Sequence, residues 1–152
     1  MPSTGRILLV DNDRDILKIV DRSLGDAGYA VMSTTDSSQA RQILEDSREA
    51  IDLLLTDVFM PGASGPELAR SALRSRSNLK VLFMSGDPKG RSHFRKEDQL
   101  IPKPFSVGEL LKRVREVLET SDSGIARRDG VNEPSWSGTE RRGRRSRSAA
   151  KS

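Results

Sequence analysis

The chain has 152 residues, a hydrophobic fraction of only 34 %, and 26 Lys and Arg against 22 Asp and Glu, for a formal charge of +4 and a pI near 9.8. That size suits one domain with room for a tail, and no stretch approaches the ~20 apolar residues that a transmembrane helix needs. The absence of cysteine excludes disulfide scaffolds, thiolate zinc sites and Cys nucleophiles, and the N-terminal stretch lacks the apolar region of a secretory signal, so the chain reads as cytoplasmic.

The run from Arg6 to Val10 is short and continuously apolar after its arginine, as expected of a strand covered on both faces. Asp13 can cap a helix in which Ile16, Leu17, Ile19, Val20 and Leu24 recur at helical spacing, up to Gly25 and Gly28. Tyr29–Met32 is a second strand, and Ala40, Ile43 and Leu44 mark a weaker helix behind the polar cluster Asp36–Ser38. Ile51–Thr56 is a third strand, ending at Asp57 and followed by a Pro- and Gly-punctuated loop. Ser64 and Glu67 form a capping-box pattern with Pro66 in the first turn, opening a helix through about Arg74.

Leu79–Met84 is a fourth strand, and Leu100–Ile101 a minimal fifth. The intervening residues 86–99 are almost entirely polar, so a fourth helix there is expected to be short or irregular. Ser106 and Glu109 form a second capping box, before a helix with Leu110, Leu111, Val114, Val117 and Leu118 on one face. Strands alternating with helices imply an α/β fold with a doubly wound, five-stranded parallel sheet.

The charge divides sharply along the chain. Residues 1–120 carry 18 basic and 18 acidic side chains, whereas residues 121–152 carry 8 basic and 4 acidic ones. The whole excess thus belongs to a Ser-, Arg- and Gly-rich tail whose large apolar residues are Ile125, Val131 and Trp136. Such a segment buries too little apolar surface to offset the entropy of ordering, so the reading is a domain over 1–120 and a disordered basic tail over 121–152.

Open parallel sheets bind ligands at the carboxyl ends of their strands, near the switch in strand order. That rule gathers Asp11, Asp57, Ser85 and Lys103 at one edge. Paired carboxylates suit a hard cation such as Mg²⁺, which needs only one or two of them with water completing its octahedron. A carboxylate beside such a cation and a lysine is placed to attack a phosphoryl group, whose oxygens Ser85 could hydrogen-bond. Taken singly, each group has a bland reading: a strand-end Asp is commonly a helix cap, and Lys-Pro is ordinary turn chemistry.

The motifs Ile7–Asp13, Leu53–Gly62, Val81–Gly86 and Pro102–Phe105, in this order and spacing, resemble the receiver domain of two-component response regulators over about residues 5–119. The resemblance implies a flavodoxin-like receiver fold in which Asp57 is the phosphoacceptor for a histidine kinase's phosphohistidine. It implies that Asp11, Asp57 and the Phe59 backbone carbonyl hold Mg²⁺, and that Lys103 and Ser85 bind the phosphoryl oxygens and couple phosphorylation to a shift of the fourth strand and helix. Three departures matter. The second acid after strand one is Asn12, whose amide can coordinate without charge; the switch position three residues before the lysine is Leu100 rather than an aromatic; and the polar 17-residue stretch between Ser85 and Lys103 is short on apolar residues.

The resulting expectation is a stand-alone receiver, not an enzyme in its own right although it assists its own phosphorylation and dephosphorylation. Its expected partners are a histidine kinase, with a hybrid kinase among the options, and a downstream protein the sequence leaves unidentified. No specific DNA binding is expected, because the tail lacks interleaved aromatics; its sharper reading is weak contact with a polyanion. The rivals are a phosphorylation-independent pseudo-receiver used for docking and a phosphatase using Asp57 as nucleophile, the latter disfavoured because Phe59 stands where a general acid is needed. His93, the one histidine, reads as a surface residue.

Overall fold

The structure is a computed structural model that describes residues 5–86 and 99–120. Five strands, β1 (Arg6–Val10), β2 (Ala30–Thr34), β3 (Leu53–Asp57), β4 (Lys80–Ser85) and β5 (Leu100–Pro102), alternate with α1 (Arg14–Asp26), α2 (Ser37–Glu45), α3 (Gly65–Ser75) and α4 (Val107–Glu119). The expected fourth helix over 86–99, His93 and the tail fall outside the described residues, apart from Gly86 and Gln99.

All strand pairings are parallel, in the order β2-β1-β3-β4-β5. Both faces of the sheet are covered, and period-two alternation sorts the strand residues between them. Ile7, Leu9, Leu53, Leu55, Leu82 and Met84 face α1 and α4, meeting Val20, Leu24, Leu110, Val114 and Val117. Leu8, Val10, Leu54 and Phe83 face α2 and α3, meeting Ala40, Leu44, Leu68, Ala69 and Ala72. The continuous apolar strands are therefore the consequence of a sheet with two cores.

Helix starts follow the sequence closely. Both capping boxes form: Ser64 Oγ accepts from Glu67 N while Glu67 Oε1 accepts from Ser64 N, and Ser106 and Glu109 repeat the exchange. Asp13 and Asp36 cap α1 and α2, respectively. Some expectations need correcting. Ile19 is 60 % exposed and does not belong to the core face of α1. The strands begin later than expected: β2 at Ala30 with Tyr29 just before it, β3 at Leu53 rather than Ile51, and β4 at Lys80 rather than Leu79.

Candidate functional site

The register alone brings the acids together. Val10 pairs with Thr56 across β1 and β3, so the next residues on each strand, Asp11 and Asp57, stand side by side. Asp57 pairs with Met84 and Ser85 with Pro102, which places Ser85 and Lys103 in the same row. The β1–β3 junction is also where the chain reverses its direction across the sheet, the position at which such folds place ligands.

Asp11 is fully buried and Ser85 nearly so. An unpaired buried carboxylate would be costly; Asp11 avoids this by accepting from Asp13 N at 2.9 Å on Oδ1 and from the Lys103 ammonium at 2.8 Å on Oδ2. The same ammonium lies 3.6 Å from Asp57 Oδ2. Lys103 is anchored to the sheet by its own amide, which donates to Ser85 O at 2.8 Å, and the Lys103–Pro104 peptide bond is cis. Asp57 Oδ1 accepts from Val58 N at 2.9 Å, an N–H shared with Met84 O at 3.0 Å.

Burial pushes the Asp57 carboxyl up to about 6 from its usual 3.8; the Lys103 ammonium opposes that rise, the Asp11 charge adds to it, and the Val58 N–H again opposes it. Asp57 is thus a carboxylate with less positive charge around it than its burial demands. Oxygen donors with a surplus of negative charge fit a hard divalent cation. Among the described residues no group of three or more His, Cys, Asp or Glu is arranged to hold a metal. The reason is local: position 12 is an exposed amide, and Asp13 is spent on α1, accepting from Asp15 N and Ile16 N. The two carboxylates that the sheet sets side by side, Asp11 and Asp57, are hard oxygen donors of the kind that suits Mg²⁺ and not a thiophilic or imidazole-loving metal.

Sequence reasoning missed several supporting residues. Among the described residues, Asp11, Thr34, Ser37, Thr56 and Ser85 are the buried polar ones, and all five lie at the carboxyl edge of the sheet. Thr34 O accepts from Asp11 N at 3.3 Å, and Thr56 Oγ1 donates to Asp57 O at 3.0 Å. Gly65 packs directly on the acid's backbone: a Cβ there would lie 2.2 Å from Asp57 O and 3.1 Å from Asp57 C. The one signal available was a glycine at the first position of α3, where it weakens a helix unless packing requires it.

The family model of the response regulator receiver domain matches residues 7–115. Curated relatives include an uncharacterized transcriptional regulatory protein YrkP of Bacillus subtilis, 37 % identical over 72 % of this chain and 47 % of its own length. They also include the transcriptional regulatory protein CpxR of Escherichia coli, 35 % identical over 76 % of this chain and 50 % of its own length. The chain spans about half the length of these relatives. Among solved structures, the receiver domain of the hybrid histidine kinase CckA aligns with a TM-score of 0.65 and 34 % identity, over 76 % of this chain and all of that one. Receiver domains are phosphorylated by histidine kinases and generally bind Mg²⁺ at their acidic pocket. Since the match spans most of the chain, this chain belongs to the response regulator receiver family of two-component systems.

Proposed function

We propose that the chain accepts a phosphoryl group on Asp57 from a histidine kinase, with Mg²⁺ held by Asp11, Asp57, Asn12 and the Phe59 carbonyl. The observation that carries this reading is the Lys103 ammonium between two carboxylates, 2.8 Å from Asp11 and 3.6 Å from Asp57. With its pKa near 6, Asp57 is about tenfold more ionised than protonated at pH 7, so an oxygen lone pair is available for attack. The new bond forms between an Asp57 oxygen and phosphorus while the P–N bond to the donor's imidazole breaks, its electron pair leaving on the ring nitrogen. Lys103 then faces the transferred oxygens, and Ser85, at the end of β4, is placed to hydrogen-bond one of them. The bound cation supplies further charge neutralisation at those oxygens.

The chain acts, in this reading, as a receiver that signals by protein contact and not as an enzyme with a separate substrate. Residues 121–152 hold too few large apolar side chains to form a folded output domain by themselves. One observation favours a second reading, a pseudo-receiver that docks without phosphorylation: Asn12 leaves the acid pair without a third carboxylate. Incubation with radiolabelled acetyl phosphate or a phosphorylated kinase and Mg²⁺ separates the two. Wild type should take up label and Asp57→Ala should take up none; a wild type that stays unlabelled supports docking, and label on the variant moves the acceptor elsewhere.

A further inference from the structure

Ser37, the first residue of α2, belongs to none of the groups assigned above, yet it is only 7 % exposed and lies against the loop that follows Asp57. A serine at a helix start commonly caps its own helix. Here Asp36 holds that position, accepting from Ser38 N at 2.8 Å, which leaves the Ser37 hydroxyl to reach outward. Its Oγ donates to Pro61 O at 3.3 Å and accepts from Ala63 N at 3.4 Å. Gly62 lies between these two with φ +90°, and a Cβ there would meet Ser37 Oγ at 3.1 Å.

The ends of the loop have their own anchors. Val58 N donates to Met84 O at 3.0 Å, Gly65 N donates to Val58 O at 2.8 Å, and Ser64 is fixed by its capping box. The middle, Pro61 to Ala63, is gripped by the Ser37 hydroxyl from another element. We infer that Ser37 is a positioning residue for the cation site: by pinning Pro61 and Ala63 it fixes the loop that carries Phe59, whose carbonyl is the neutral ligand proposed above. This rests on the cation reading proposed above. Mg²⁺ tolerates little departure from octahedral geometry, and a site with only two carboxylates leans more heavily on the placement of its neutral oxygens.

The test titrates Mg²⁺ into the full-length protein, followed by calorimetry and by the backbone amide shifts of residues 57–64, with thermal unfolding recorded for each variant. Groups that orient metal ligands commonly contribute 10–100-fold in affinity. Ser37 acts one step further out, so Ser37→Ala should weaken Mg²⁺ by about three- to tenfold in protein that remains folded. Ser37→Thr, which retains the hydroxyl, should recover most of that loss; equal weakening in both variants overturns the role of the hydroxyl. Gly62→Ala loads the same contact from the loop side and serves if Ser37→Ala does not fold; where Ser37→Ala does fold, Gly62→Ala should weaken Mg²⁺ less in that background than alone. Saturable binding by wild type with unchanged affinity in Ser37→Ala, or in Gly62→Ala where that variant must serve, overturns the inference alone. No saturable binding by wild type overturns the cation reading and the inference with it.

Discussion

At position 57 solvation pulls against the proposed role. To act as nucleophile the Asp57 carboxyl would have to be ionised, yet burial raises its pKa from 3.8 to about 6. The folded chain therefore binds this proton more tightly than the unfolded one, and stability falls as pH rises between about 4 and 6. Without Mg²⁺, Asp57→Asn should unfold at higher urea than wild type at pH 7.5, by on the order of 1–2 kcal/mol after screening at the pocket mouth. The difference should be mostly gone by about pH 4 and vanish by about pH 3, below both pKa values, where wild type is protonated in both states; a gap that persists at about pH 3 would place the burial penalty elsewhere. Position 12 makes the opposite case, a charge missing where a cation would welcome it. Restoring it with Asn12→Asp should tighten Mg²⁺ by about one to three orders of magnitude, because a unit charge at ~4 Å is worth up to about 4 kcal/mol at an effective dielectric of 20. A calorimetric titration with unchanged affinity would show that residue 12 does not reach the ion.

Among the elements, α3 is the one whose placement bears directly on the acid. Its first residue, Gly65, leaves no room for a Cβ against the Asp57 carbonyl, whereas Gly25 in α1 has nothing within 4 Å of such an atom. The same substitution should then have opposite signs at the two sites. Gly65→Ala should destabilise by about 1–3 kcal/mol through overpacking, and Gly25→Ala should be neutral or stabilising by up to about 1 kcal/mol through helix propensity and lost unfolded-state freedom. Urea unfolding of both variants checks the contrast. This pair also shows what is legible in a sequence. Both capping boxes and the Asp13 cap depend on residues two or three apart, so local spacing identified helix starts that the structure repeats, whereas the Asp36 cap was legible only as part of a polar cluster. The row of Asp11, Asp57, Ser85 and Lys103 was legible because parallel strands put every carboxyl end at one edge. Gly65 and Ser37 were not, since their meaning comes from another element's approach. Ile19 was misplaced for a related reason: helical spacing defines a stripe, and packing alone decides how wide that stripe is.

For the whole molecule, the pI near 9.8 describes the last 32 residues, while 1–120 is balanced in charge and holds the Asp11–Asp57 acid pair. If the basic tail touches polyanions, full-length protein should bind nucleic acid weakly, with affinity falling steeply as salt rises, and a chain ending at Thr120 should not bind. Equal filter binding by both would remove that role. A different consequence follows from the Lys103–Asp11 pair, whose partners lie 92 residues apart. In a sheet assembled without hairpins, that contact closes only after the last strand has docked beside β4. A nascent chain still lacking β5 carries both acids but not the ammonium that sits between them. The Lys103–Asp11 contact thus comes into being only with the last strand, and in the proposed role an unfinished copy lacks the ammonium that would face the transferred oxygens.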